Sequence, residues 1–294
     1  MQVVIAKSIL NKTKRRDPWF LDDYTINPYS GCSFNCLYCY IRGSQYGLNM
    51  AEKLSIKSNA VDLLERALAL RARRKQYGII VLSSATDPYL QFEERELLTR
   101  KLLEVILHYR FPVHIITKSN LVCRDFDLLK QINAEAILPL DLQDKLTHGA
   151  FITFSFSTID AAIAKIFEPG APSPELRLEA LGKARSEGLC SGVSLMPLLP
   201  FISDTGVHLD QMFAAFQSMS ANYIFPATLA LYGSGPSDNR TLVLRAVEQH
   251  YPQLLTKYQR LFGTDGKLPL YYRKAFAEKA KALCLQYGLK DRLF

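Results

Sequence analysis

The sequence predicts an α/β fold: an open, partial barrel of six parallel strands carrying a helical tail. Three observations lead there. Short apolar runs of strand length alternate with stretches whose apolar residues recur at helical spacing, which implies a parallel sheet with right-handed crossovers. Six such strand–helix units can be read along the chain, fewer than the eight of a complete barrel. The chain has 294 residues and is 48% hydrophobic, enough for one large α/β domain or for a domain with an appendage.

The elements follow in order. Tyr24–Tyr29 reads as the first strand and leads into a cysteine-rich loop. Asn59–Tyr77 has apolar residues at 61, 64 and 68 and stops before Gly78, as a helix does. Ile79–Leu82 is a buried strand, and Phe92–Tyr109 a second long helix closed before Pro112. Val113–Thr117 is the third strand, followed by a short helix over Arg124–Ile132 with Asp125 as its cap. Ala134–Gly149 reads as an irregular insertion. Phe151–Ser157 is the fourth strand, followed by a loop at Glu168–Pro174. Ser173 then caps a helix with Pro174 at its first position and Gly188 just past its end. Gly192–Leu199 is the fifth strand, His208–Met219 a helix, and Tyr223–Leu231 the sixth strand despite Pro226. After the turn-rich break at Gly233–Asn239, the remainder reads as two helices with no further strand. The expected division is a barrel with its lead-in at 1–235 and a helical extension at 236–294.

Composition narrows the function classes. No apolar run approaches the roughly 20 residues that span a bilayer, and the first residues lack the features of a signal peptide. The expectation is a cytoplasmic protein without a membrane partner. The net charge of +8 suits nucleic acid or acidic substrates. The plainer reading, a soluble protein that is simply basic, is favoured by the absence of long cationic runs.

Six cysteines stand at 32, 36, 39, 123, 190 and 284. A disulfide scaffold would be denser and shorter. The first three lie in NPYSGCSFNCLYCYIR, with spacing C-x3-C-x2-C. Zinc usually takes four ligands in two separated pairs, and no second pair exists. A tetranuclear iron–sulfur cluster held by three cysteines keeps one iron without a protein ligand, open to a substrate or cofactor. A zinc site and a chance grouping of thiols are the alternatives. The motif follows the first strand, at the carboxyl-end rim where such sheets carry their functional groups.

At these residues the chain resembles the radical S-adenosylmethionine (SAM) superfamily. More narrowly it is similar to the group related to spore photoproduct lyase. The resemblance runs through NPYSGCSFNCLYCY, SSATDPY, IITKS, FSFST followed by EPGAPSPELRLEAL, and the tyrosine-rich closing helices. It implies a partial (β/α)6 barrel with a C-terminal helical extension. It implies a [4Fe–4S] cluster on Cys32, Cys36 and Cys39, and SAM as the second cofactor. The activity implied is reductive cleavage of SAM to a 5′-deoxyadenosyl radical that abstracts hydrogen from substrate, chemistry of a lyase or oxidoreductase. An external electron donor of flavodoxin or ferredoxin type is the implied partner.

The resemblance also suggests cofactor contacts. Thr86 and Asp87, after the second strand, would meet the methionine ammonium; a simple Asp-Pro turn is the plainer alternative. Lys118, after the third strand, would meet the methionine carboxylate. Ser157, at the end of the fourth strand and on one face with Ser155, would bond the ribose or carboxylate. Arg177, in the first turn of its helix, opposes the helix dipole and so calls for an anionic partner, either the cofactor or Glu168. Tyr38 would pack on the adenine, with Met196 and Pro197 as further wall. Cys123 is a weak candidate for returning a hydrogen atom, free cysteine being more often a small core hydrophobe. Cys190 is expected before its strand at the opposite rim and Cys284 in the terminal helix, both structural. Spore photoproduct lyase has a hydrogen-donating cysteine just before the Thr86–Asp87 motif; here that stretch is Ser83-Ser84-Ala85. The cofactor chemistry therefore transfers better than the substrate. Nucleic acid, DNA or RNA, is the preferred substrate class, with a peptide or small metabolite as the other option. A non-catalytic iron–sulfur or zinc-binding partner module is the competing function.

Overall fold

The computed structural model describes residues 1–44, 50, 53–263 and 265–294. Strands β1 (Gln2–Val4), β2 (Leu10–Lys12), β3 (Tyr24–Ile26), β4 (Tyr29–Ser30) and β5 (Ser55–Lys57) come before the first helix, α1 (Ala60–Arg73). There follow β6 (Ile80–Leu82), α2 (Glu93–Glu96), α3 (Leu98–His108), β7 (Val113–Thr117), a 3-10 turn at Asn120–Asp125 and α4 (Phe126–Glu135). Next are β8 (Ala150–Phe156), α5 (Ala161–Phe167), α6 (Pro174–Ser186), β9 (Cys190–Leu198), α7 (Gly206–Ser218) and β10 (Ile224–Thr228). The chain closes with α8 (Asn239–His250), α9 (Leu255–Leu261) and α10 (Leu270–Tyr287).

Seven strands form one sheet in the order β10-β9-β8-β7-β6-β3-β2. Neighbours among β3 and β6 to β10 are all parallel; only β2 runs antiparallel, on the outer edge of β3. Spatial order follows chain order, so every crossover links adjacent strands, as the alternation predicts for a partial barrel. The register aligns Ile26 with Leu82, Leu82 with Ile115 and Ile115 with Ile152. The loops that follow these residues therefore meet at one rim.

Helices bury their apolar stripes on the outside of the sheet. Leu64 and Leu68 of α1 and Leu102, Leu103 and Ile106 of α3 are wholly buried, in one cluster with Ile80, Leu82, Val113 and Ile115. Each such side chain contributes about 1.5–3 kcal/mol of burial. A second cluster closes the opposite end of the barrel. There Trp19 stacks on Phe225 at 5.6 Å between ring centroids, and Phe20 meets the buried His114.

Several elements differ from expectation, each for a local reason. The strand expected over 24–29 stops at Ile26, and Tyr29–Ser30 turns away to pair with β5 in a separate small sheet with β1. The helix expected over 92–109 is two helices, broken at Leu97, whose φ is 52°. Helix α5 occupies residues to which the sequence reading assigns no element, with the Asp160 carboxylate accepting from the amides of Ala162 and Ile163. Pro226 is accommodated because β10 is the outermost strand of its sheet. Among the described residues the tail holds three α-helices rather than two. Cys190 is the first residue of β9 rather than preceding it.

Candidate active site

The cysteine loop is built from tight turns. Gly31 has φ +79°, and a Cβ there would lie 2.6 Å from the Met50 carbonyl that accepts the Cys32 amide, so the position requires glycine. Asn35 is also left-handed (φ 52°), and the Cys39 amide bonds the Cys36 carbonyl at 3.3 Å. These turns aim all three thiols into one cavity of about 400 Å³ at the carboxyl-end rim.

Tyr38, Thr86, Asp87, Lys118, Met196 and Pro197 line the same cavity. Their roles differ. Thr86 Oγ1 donates to the Gly31 carbonyl, which ties its loop to the cysteine loop and leaves its lone pairs free. The Asp87 carboxylate is buried and already accepts from Thr117 Oγ1 (2.7 Å), the Tyr89 amide (2.9 Å) and the Lys118 amide (2.8 Å). It holds the backbone of Lys118 in place. Burial pushes its carboxyl up from the ordinary value, against those three donated bonds. Lys118 extends its ammonium over the Tyr38 ring, 5.8 Å from the centroid, and to 3.9 Å from Glu168.

Ser157 and Arg177 do not line the cavity. Both belong to a buried cluster centred on Glu168, which is 2% exposed. Oε1 of Glu168 accepts from Ser157 Oγ (2.8 Å) and from the Tyr38 hydroxyl, and Oε2 pairs with the Arg177 guanidinium. Arg177 also donates to the carbonyls of Pro172 (2.9 Å) and Ser155 (3.1 Å). Its anionic partner is thus Glu168. Burial alone would raise the Glu168 carboxyl, but the cations of Lys118 and Arg177 outweigh it and hold the carboxyl below its usual range. Ser155 and Ser194 line the cavity instead. Ser157 lies one residue beyond the end of β8, where strand alternation no longer dictates direction.

Cys123 is away from the cavity; the charges nearest it are Lys183 and Glu187 near the end of α6. Cys284 lies in α10, as expected.

Sequence reading missed several participants. Ser83, just past the end of β6, has φ 70° and a buried hydroxyl with no hydrogen-bond partner, and lines the cavity. Tyr40 lines the cavity, is 67% exposed and donates to the Ser84 carbonyl. Arg42, buried beneath the cysteine loop, donates to the Cys36 carbonyl (2.9 Å) and the Ser237 carbonyl (3.4 Å). Asn239 reaches the Tyr38 carbonyl at 3.4 Å. For Arg42 and Tyr40 the signal was proximity to the motif; for Asn239 no local signal existed.

The donor set fits an iron–sulfur cluster. Among the described residues, no three His, Cys, Asp or Glu side chains converge closely enough to hold a single ion. One zinc would need its thiolates about 2.3 Å from a common centre. Three thiols at one cavity, with no second pair of ligands, suit a cluster in which each binds a different iron. Burial pushes the Cys36 thiol up to about 12 and raises Cys32 and Cys39 as well. Thiolates there call for a cationic ligand.

Comparison with known proteins gives the family and the fold. An uncharacterized protein of Mycobacterium tuberculosis is 28% identical over 292 residues, 97% of this chain and 80% of that protein. One from Methanocaldococcus jannaschii is 31% identical over 202 residues, 68% of each chain. A Pseudomonas phage protein named radical SAM Nalpha-GlyT isomerase is 24% identical over 255 residues, 85% of this chain and 45% of its own. Among solved structures, a mutant of spore photoproduct lyase shares the fold with a TM-score of 0.66 at 16% identity, covering 97% of this chain and 78% of that one. SuiB of Streptococcus suis, bound to S-adenosylmethionine, gives 0.57 at 11% identity, over 89% of this chain and 47% of its own. The family model of the radical SAM superfamily matches residues 26–210, a stretch that runs from the end of β3 into α7 and includes all three clustered cysteines. The chain belongs to the radical SAM superfamily.

Proposed function

We propose that this protein is a radical SAM enzyme acting on a nucleic-acid substrate, with a [4Fe–4S] cluster on Cys32, Cys36 and Cys39 and SAM in the cavity they share. The observation that carries the reading is the convergence of three thiols, the Lys118 ammonium and the Tyr38 ring on one 400 Å³ space. When bound, the reduced cluster supplies the electron that cleaves SAM and so initiates hydrogen abstraction. Lys118 offers the cation for the methionine carboxylate, in an orientation fixed through its amide by Asp87. Asp87 already accepts from three donors, two on Oδ1 and one on Oδ2, so the acceptors open to the methionine ammonium are the remaining site on Oδ2, the lone pairs of Thr86 Oγ1 and the unpartnered Ser83 hydroxyl. Tyr38, held by Glu168, forms a wall against the nucleoside and keeps water from that side. An external flavodoxin- or ferredoxin-type donor supplies the electron.

Nucleic acid is supported by the net charge of +8 and by the exposed Tyr40 ring at the cavity, a surface on which a base can stack. It is also the chemistry of the dinucleoside bound to spore photoproduct lyase in one of its structures. No thiol other than the cluster cysteines lines the cavity among the described residues, so a cysteine-based hydrogen return is not part of the proposal.

The test is anaerobic reconstitution with iron and sulfide. The reduced brown protein should turn SAM into 5′-deoxyadenosine, and Cys32→Ser, Cys36→Ser or Cys39→Ser should abolish both colour and product. Lys118→Met should keep its iron and weaken SAM binding at least tenfold. A cluster that never cleaves SAM under strong reductant would favour an electron-carrier module, and colourless zinc protein would remove the reading. Steep salt dependence of DNA or RNA binding is expected; no retention at low salt would point to a peptide or metabolite.

A further inference from the structure

We propose that Glu168 is a positioning residue that sets the reduction potential of the cluster, by holding one buried negative charge against the cysteine loop. The inference rests on the proposed cluster and extends it to a residue outside the cavity lining.

Three observations carry it. The carboxylate is buried, and its hydrogen bond from Tyr38 attaches it to the residue between Cys36 and Cys39. The segment that bears it is clamped to the loop by backbone: Leu37 N–H donates to the Phe167 carbonyl (2.9 Å) and Gly170 N–H to the Phe34 carbonyl (3.0 Å). Gln91 Nε2 adds a bond to the Gly170 carbonyl at 2.9 Å while its amide oxygen accepts from Ser33. The charge therefore cannot move away from the cluster position without moving the loop. Two cations oppose it, Arg177 in contact and Lys118 at 3.9 Å.

A purely structural ion pair would fix the loop and leave the potential to the sulfurs and solvent. Charge in a region of low dielectric acts on a redox centre directly, and net charge is one of the determinants of cluster potential. An electron added beside a fixed carboxylate is less stable, so Glu168 makes the reduced cluster a stronger reductant. Arg177 acts in the opposite sense. When the Lys118 ammonium is drawn to a cofactor carboxylate, Arg177 remains as the cation that keeps Glu168 ionised.

The experiment is an anaerobic redox titration of reconstituted protein, read by the electron paramagnetic resonance signal of the reduced cluster, with iron and sulfide content measured on each sample. Glu168→Gln keeps one acceptor oxygen for Tyr38 and Ser157, removes the charge and turns an amide NH2 toward Arg177. Its midpoint should rise enough to change the reduced-to-oxidised ratio at least tenfold at fixed potential, 59 mV for one electron. In the absence of SAM, with Lys118 still facing Glu168 and keeping it ionised, Arg177→Met should shift the midpoint the other way. The double variant, which removes both buried charges and is the most tolerable to the fold, should return close to the wild type. Midpoints unchanged in the single variants, or shifted in the same direction by both, would overturn the proposal while leaving the cluster assignment standing. A wild-type chain that assembles no cluster would overturn both.

Discussion

Gly170 is where two loops meet most closely. A Cβ there would stand 2.2 Å from the Ser33 carbonyl, a distance no side chain tolerates without backbone movement. Gly170→Ala should therefore displace the cysteine loop rather than the EPG segment alone. Reconstituted Gly170→Ala is expected to hold less than half the iron of the wild type, at about 1–3 kcal/mol lower stability from overpacking. Full iron with unchanged stability would show that the contact yields freely. At this scale the cysteine triplet, Lys118 and Thr86 were legible because spacing and strand ends announce them. The Glu168 cluster was legible only as a candidate partner for Arg177. Its link to Tyr38 spans 130 residues, and nothing in local pattern connects an EPG turn to a cysteine loop. That Ser155 rather than Ser157 lines the cavity was hidden for a related reason: alternation gives a shared face and not where the strand ends.

At the scale of elements, the break at Leu97 is instructive. The apolar period runs on from α2 into α3, so a continuous helix was the natural reading. The buried Glu93 carboxylate instead accepts from the amides of Leu98 (3.1 Å) and Thr99 (3.1 Å), the donors a helix leaves open at its start. Arg124 Nη2 secures the same carboxylate at 2.8 Å. A side chain 31 residues further on thus decides where α3 begins. The cost is a leucine in left-handed conformation, about 1–2 kcal/mol. Leu97→Gly should relieve much of it and leave the protein as stable as the wild type or up to about 1 kcal/mol more so, measured by denaturant unfolding. A clear loss would mean that the half-exposed leucine side chain packs more than its position suggests. The strands β1, β2, β4 and β5 were illegible for a simpler reason: at two or three residues each, they carry no period.

For the whole molecule, chain order equals sheet order, and this made the barrel readable from its strand–helix alternation. The polar plug near the amino-terminal ends of the strands was not foreseen. There His114 Nδ1 donates to the Phe20 carbonyl (2.9 Å), and Nε2 faces Thr153 Oγ1 at 2.6 Å, which in turn meets the Tyr223 hydroxyl. Burial lowers the His114 pKa from 6.5 to about 4. The unfolded chain takes up this proton near pH 6.5 while the folded one refuses it, so folded-state stability falls as pH drops through that window. The loss attributable to His114 reaches about 3 kcal/mol at its lower edge. His114→Gln should flatten this part of the profile in denaturant titrations of metal-free protein at pH 7 and pH 4.5. Parallel profiles for the two proteins would discharge His114 from the role.

The bonds from Arg42 to the Ser237 carbonyl and from Asn239 to the Tyr38 carbonyl impose an order on biogenesis. Synthesis proceeds from the amino terminus, so the cysteine turn emerges nearly 200 residues before its distal clasp. Until that clasp leaves the ribosome, the nascent turn lacks two of its anchors. If the turn takes up the proposed cluster, that step belongs after translation has passed residue 239, and chains halted at 236 should emerge able to form the sheet yet poor at retaining iron.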